Sequence, residues 1–313
     1  EISVLLPKEI IEQLTRLDIV DENGKLWYPI SAVCGSEYTL YMVSDVPKGF
    51  KKRLVYSAHN IKGKYPIFLK TEKSNPVALF GGYENSAAIN TDGSIIYIPL
   101  STRKKPKKLI NILFLPNDEK ALNLACGEYE FCALSTTGKI YISSARKKLQ
   151  FVQVYEMHKK RVVEISGTSG HFFALTDEGE VYGYGSNTYK CLGIENNIDE
   201  FTIIPSLTHQ KIKSVFAGFM HSCFITKEGK VLVAGFYEKL TGLKDYEVKY
   251  YGEQPSESKI KSGACFCIAE MKGTVIFKGF KPEMSPNINV KNEIKIGLFG
   301  SKRKIKIVQE FTH

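Results

Sequence analysis

Apolar residues recur along this chain in pairs of short runs separated by a polar turn. The stretch 171–187, HFFALTDEGEVYGYGSN, is the clearest case: HFFALT enters an acidic turn at Glu178-Gly179 and VYGYG leaves it. Two apolar runs of strand length joined through a Gly turn read as a β-hairpin. The pattern returns at SAAINTDGSIIYI around Gly93, FCALSTTGKIYI around Gly138, SCFITKEGKVLVAGF around Gly229 and CIAEMKGTVIFKGF around Gly273. These glycines follow one another about every 45 residues, a period typical of repeat architectures.

A second mark precedes each hairpin, a short apolar run ending in a small residue and Gly. It occurs at VALFGG to Gly82, LNLACG to Gly127, VVEISG to Gly167, SVFAG to Gly218 and IKSG to Gly263, with an earlier one at ISAVCG to Gly35. The unit is therefore strand A, Gly corner, strand B, acidic-Gly turn, strand C, loop and a weaker strand D such as FTIIPSL at 201–207. The turn glycine supplies a positive φ that other residues resist. At the corner, backbones pack too closely for a Cβ. A unit of this size cannot bury both faces alone, and stacked radially such units form a β-propeller. The expectation is an all-β, seven-bladed β-propeller of four-stranded blades forming a single domain over 1–313. Residues 35–299 hold six sequential repeats, and 1–34 with 300–313 form the closing blade, which removes an exposed sheet edge. KIKIVQEFTH supplies its strand A, and RLDIVDENGKLWYPI, with a turn at Asn23-Gly24, supplies more of it. PKEIIEQLTR has helical periodicity, and six blades plus an N-terminal appendage is the alternative.

The repeat, with its small-Gly corner, a following His, an acidic-Gly turn and V-Y-G-Y-G, resembles that of the regulator of chromosome condensation family. GTSGHFFALTDEGEVYGYGSNTYKCLGI and AGFMHSCFITKEGKVLVAGF carry the likeness best; it is weak at both ends of the chain. WD and kelch repeats fit less well, since their marker dipeptides do not recur. The resemblance implies a seven-bladed propeller. It also implies either guanine nucleotide exchange on a small GTPase such as Ran, with chromatin binding, or an interaction domain. This sequence departs from the family pattern at the corner. The slot eight residues before the turn Gly holds His171 and His221, and His313 by position, but Asn85, Glu130 and Cys265 elsewhere, with Tyr38 at the corresponding corner of the hairpin whose turn is enlarged. The family's exchange factors carry a projecting β-wedge, for which SDVPKGFKKRL at 44–54 is the only counterpart. His171 and His221 either reach a partner at the tunnel mouth or bond neighbouring backbone, as a part-buried imidazole must.

The chain has 17 Tyr and 18 Phe, a bias toward strands, and a formal charge of +10, which favours acidic partners. The charge concentrates in TRKKPKK at 102–108 and ARKK at 145–148, each directly after a strand C. Loops of one class emerge on one propeller face, so Arg103, Lys104, Lys105, Lys107, Lys108, Arg146, Lys147 and Lys148 form one basic patch. Three readings apply: a nuclear-import signal, a dock for phosphates or an acidic protein surface, or solvated loops. The run HKKR at 158–161 precedes strand A and belongs to the opposite face.

Seven cysteines, most of them inside apolar runs, read as buried reduced thiols and point to an intracellular, cytoplasmic or nuclear protein. Cys265 and Cys267 lack a second pair at zinc spacing, so no metal is expected. No membrane span or signal peptide is expected. No phosphate loop, nucleophile elbow or zincin motif occurs, and the G-x-G of YGYGSN closes a strand rather than opening a helix. The expected role is non-enzymatic and cofactor-free. The chain is read as a monomeric interaction propeller binding an acidic partner surface through loops on one face, with nucleotide exchange or chromatin association as the alternatives.

Overall fold

The computed structural model describes residues 19–34, 38–46, 52–58, 67–69, 74–82, 85–99, 111–144, 149–168, 170–219 and 221–235, and beyond these the backbone of the strands between 249 and 309. The chain is all-β and is laid down as sequential antiparallel sheets. The first comprises β1 (Ile19–Val20), β2 (Leu26–Cys34), β3 (Tyr38–Ser44), β4 (Lys52–Ala58) and β5 (Ile67–Phe68). The second comprises β6 (Pro76–Gly81), β7 (Asn85–Asn90), β8 (Ile95–Pro99) and β9 (Asn111–Leu113). The third is β10 (Ala121–Cys126), β11 (Glu130–Ser135), β12 (Ile140–Ser144) and β13 (Val152–Gln153). The fourth is β14 (Val162–Thr168), β15 (His171–Thr176), β16 (Val181–Gly185) and β17 (Ile198–Ile203). The fifth is β18 (Ile212–Ala217), β19 (His221–Thr226), β20 (Lys230–Gly235) and β21 (Lys249–Glu253).

A sixth sheet follows, of β22 (Lys259–Ser262), β23 (Phe266–Met271) and β24 (Thr274–Gly279), with β25 (Glu293–Ile294) at its edge; β26 (Gly297–Leu298) pairs with β27 (Ser301–Lys302) apart from it. β28 (Ile305–Gln309), the segment expected to open a new blade, runs parallel to β24 within this sixth sheet. At the other end, the Asn23-Gly24 turn joins β1 to β2, and β2 is the strand A of the first sheet. Asp21 holds that turn, accepting hydrogen bonds from the amides of Asn23 and Lys25 and from Trp27 Nε1. PKEIIEQLTR lies outside the described residues. FTIIPSL is not a continuous strand: β17 ends at Ile203 and Pro205–Leu207 forms a 3₁₀ turn, since Pro205 has no N–H to extend the ladder.

The core lies between consecutive sheets. In β15 all six residues are buried, yet they serve two layers. Phe172 and Ala174 pack with Cys132 and Leu134 of the third sheet, while Phe173 and Leu175 pack with Val215 and Phe224 of the fifth. Period-two alternation thus survives inside a run that reads as continuously apolar, because both faces are covered. Equivalent layers join the first sheet to the second through Leu40, Tyr56 and Ile96, and the second to the third through Ile89, Tyr97, Phe131 and Tyr141. The first strands of neighbouring sheets approach one another, so the sheets converge on these strands.

Two glycines show why the repeat needs them. Gly179 turns at φ +84°, a left-handed conformation that a Cβ disfavours, and its carbonyl accepts the amide of Ile212 in the next sheet at 3.2 Å. At the corner, a Cβ on Gly82 would sit 2.6 Å from the carbonyl oxygen of Cys126, again in the next sheet.

Candidate functional site

Each sheet has two ends. At the turn end, the amide opening one sheet's first strand donates to the turn glycine of the sheet before: Ala121 to Gly93 at 3.1 Å and Val162 to Gly138 at 2.9 Å. At the corner end, the first residue of each second strand reaches the next sheet. Tyr38 Oη bonds the carbonyls of Gly82 and Asn85 at 2.9 Å and Ser86 Oγ at 2.6 Å. Asn85 Nδ2 donates to the Glu128 carbonyl, and Asn85 Oδ1 accepts from Tyr97 Oη at 2.9 Å. Glu130 accepts from Tyr184 Oη at 3.4 Å. His171 Nε2 bonds Ser222 Oγ at 3.2 Å. One slot, filled by Tyr, Asn, Glu or His, therefore ties successive sheets together.

His171 and His221 are buried, at 3% and 2% exposure, which leaves neither imidazole open to solvent. The ring of His171 stands edge-on to Phe173. Burial, and then the neighbouring His221, lower its pKa to about 4, so it is neutral near pH 7. Deeper along the first strands, Glu164 accepts from Ser214 Oγ at 2.9 and 2.8 Å and from the amide of Val215 at 3.2 Å. Burial pushes its carboxyl above the usual range despite these bonds. Sequence patterning missed this residue, because its partners lie one repeat away.

The eight basic-patch residues, Arg103 to Lys108 and Arg146 to Lys148, lie outside the described residues, as do Cys265 and His313. The strands that lead to the patch are described. β8 ends at Pro99, paired with the corner residue Asn85, and β12 ends at Ser144, paired with the corner residue Glu130. Both runs thus leave equivalent corner ends of adjacent sheets. The run His158–Arg161 lies at the turn end, where Lys160 pairs with Glu180 at 2.7 Å and Glu178 at 3.1 Å. Residues 52–54 of the wedge candidate are paired strand, with Ser44 opposite Lys52. Arg53 sits 4.5 Å from the Phe68 ring centroid, which leaves 45–51 between the strands.

Cys126, Cys132, Cys191 and Cys223 are buried free thiols, as their apolar settings predict, and burial pushes Cys126 and Cys191 up to about 12. The loop after β16 is organised by buried Asn187. Its Nδ2 donates to the carbonyls of Ile194 at 2.5 Å and Asn196 at 3.2 Å, and its Oδ1 accepts the amide of Leu192 at 2.9 Å. Among the described residues, no helix is long and apolar enough to cross a membrane.

Two models of the regulator of chromosome condensation (RCC1) repeat match this chain, over residues 178–225 and 162–191. Residues 162–225 thus match the RCC1 repeat, and the chain is similar to proteins built from it. Among curated relatives, protein pim1 of Schizosaccharomyces pombe is 28% identical over 36% of this chain and 24% of its own length. The ultraviolet-B receptor UVR8 of Arabidopsis thaliana is 25% identical over 49% of this chain and 40% of its own. A probable E3 ubiquitin-protein ligase, HERC4 of Rattus norvegicus, is 27% identical over 38% of this chain and 13% of its own. The chain thus spans less than half the length of each of these relatives. Among solved structures, human WBSCR16 aligns with a TM-score of 0.63 at 13% identity, covering 80% of this chain and 76% of that one. Yeast RCC1 (Prp20) bound to Kap60 aligns with a TM-score of 0.63 at 16% identity, covering 80% and 70%. The fold shared with these structures makes the stacked sheets a β-propeller, and the corner and turn hydrogen bonds are contacts that join its repeats.

Proposed function

We propose that this propeller is a protein-interaction module that binds an acidic partner surface through the basic loops 102–108 and 145–148. The carrying observation is that both runs leave equivalent third-strand ends of adjacent sheets, beside the corner residues Asn85 and Glu130. Eight basic residues on neighbouring loops set up a positive field that steers and retains an acidic surface. The module makes and breaks no bonds and needs no cofactor or metal. It acts as a monomer in the cytoplasm or nucleus. Its sheets are the blades of a closed ring, the form that leaves no exposed sheet edge. The test is affinity capture from lysate with the wild-type chain and with Arg103→Glu/Lys105→Glu/Arg146→Glu/Lys148→Glu. Acidic proteins are expected to be retained only by the wild type; equal retention would sink the reading.

Guanine nucleotide exchange on a Ran-like small GTPase is the second reading. It rests on the match of residues 162–225 to the regulator of chromosome condensation repeat, a fold shared with Prp20p, whose structure is described with its binding to Gsp1p and histones. An exchange factor of this kind would bind the nucleotide-free GTPase more tightly than the loaded form. Release of a fluorescent guanine nucleotide from a GTPase panel tests it. Chromatin association through the same loops is marked by steep loss of nucleosome binding with salt.

A further inference from the structure

The strand A of each of the first five sheets (β2, β6, β10, β14 and β18) skips one residue in its pairing register. The breaks fall between Pro29 and Ser31, Pro76 and Ala78, Ala121 and Asn123, Val162 and Glu164, and Ile212 and Ser214. The skipped residues are Ile30, Val77, Leu122, Val163 and Lys213. A bulge re-aims a side chain out of the ladder. Here it aims aliphatic side chains at solvent: Ile30 is 46% exposed, Val77 43%, Leu122 57% and Val163 47%. All lie on the strands where neighbouring sheets converge; Leu122 and Val163 follow amides that bond the turn glycine of the sheet before, and Ile30 and Val77 hold the same register position in their own sheets. A bulge that served only the twist of its strand would not require an apolar side chain facing water in four successive repeats.

A basic rim accompanies them. Lys120, Arg161 and Lys211 stand directly before the first strands of three successive sheets and are exposed, and in the fifth sheet the bulge itself carries exposed Lys213. Of the acidic side chains at this end, Glu178 and Glu180 are engaged by Lys160 and Glu119 by Lys139 at 2.7 Å, while Asp92 accepts from Ser94 with Lys120 as its charged neighbour, and Lys211 Nζ donates to the Glu178 carbonyl at 3.3 Å. We propose that the bulge residues Ile30, Val77, Leu122 and Val163 form an apolar docking surface that binds a peptide segment of a partner carrying aliphatic and acidic residues together. The aliphatic side chains of that segment cover the bulge residues, and its carboxylates meet Lys120, Arg161 and Lys211. A second copy of the chain would bring the same basic rim against itself, and like charges facing each other oppose that pairing. Single-stranded nucleic acid would call for aromatic stacking platforms rather than aliphatic ones. This surface lies at the turn end, opposite the corner end from which the basic loops depart, and it stands independently of them.

The test is selection of a randomised, phage-displayed 12-residue peptide library on the whole chain. Selected peptides are then titrated by fluorescence anisotropy against variants whose folding is checked by circular dichroism. The expected peptides combine aliphatic residues with Asp or Glu. Their affinity falls at least ~10-fold with Leu122→Ser/Val163→Ser and also with Lys120→Glu/Arg161→Glu, while Arg103→Glu/Lys105→Glu leaves it unchanged. Four results would each overturn the proposal: no enrichment, enrichment of peptides lacking either residue class, binding indifferent to both turn-end variants, or self-association of the chain that Leu122→Ser abolishes.

Discussion

His171 offers a quantitative check on the corner contacts. Its folded-state pKa is about 4 against an ordinary value of 6.5, lowered mainly by burial and then by His221. The unfolded chain therefore binds the proton more tightly than the folded one. The neutral imidazole costs nothing above about pH 6.5, and stability drains as pH falls through that value toward about 4. At pH 5 these two values correspond to about 2 kcal/mol lost relative to pH 7.5, close to a thirtyfold shift in the folding equilibrium. Asn fills the same slot in the second sheet and can take a hydrogen bond from Ser222, so His171→Asn removes the titration while keeping a polar contact. Urea unfolding of both chains at pH 7.5 and pH 5.0, followed by circular dichroism, gives the comparison. The wild type is expected to lose about 2 kcal/mol more than the variant on acidification. Glu164, whose raised carboxyl works in the opposite sense, is common to both chains and drops out of the difference. Equal losses would refute the placement of His171 as a buried, neutral tie between sheets.

Other consequences follow from the same contacts. Gly82→Ala drives a Cβ into the Cys126 carbonyl 2.6 Å away and should cost about 1–3 kcal/mol, read from the urea midpoint; a neutral effect would contradict the close approach of the sheets. Asn187→Ala strips the Leu192 amide and two carbonyls of their partner, and protease cleavage within 188–197 should accelerate while cutting elsewhere is unchanged. Cys126, Cys132, Cys191 and Cys223 should resist a thiol reagent at pH 8 until denaturant is added, and prompt labelling of any of them would contradict their burial.

The turns were legible in the sequence because a left-handed conformation leaves few choices of residue, and Gly93, Gly138, Gly179 and Gly229 all have positive φ. Hairpins such as His171–Gly185 were legible for a related reason. Strands buried on both faces keep their apolar residues in unbroken runs, as HFFALT does. The corner slot was harder. Its function is carried by partners in the next repeat, such as Ser86 for Tyr38 and Ser222 for His171, and four different side chains perform it. A search for a recurring His therefore misses the constancy of its role. The bulges were invisible for another reason. Val77, Leu122 and Val163 sit in apolar runs indistinguishable from core, and only a skipped register turns them outward. The edge of FTIIPSL was misjudged because β propensity persists through Ile204, while the missing N–H of Pro205 ends the ladder.

Lysine-directed cross-linking of the chain to its principal captured partner, mapped by mass spectrometry, tests the central claim most directly. The account predicts cross-links from Lys104, Lys105, Lys107, Lys108, Lys147 and Lys148 to an acidic segment of that partner. Cross-links that avoid all six of these residues, or that join them only to basic surface, would contradict it.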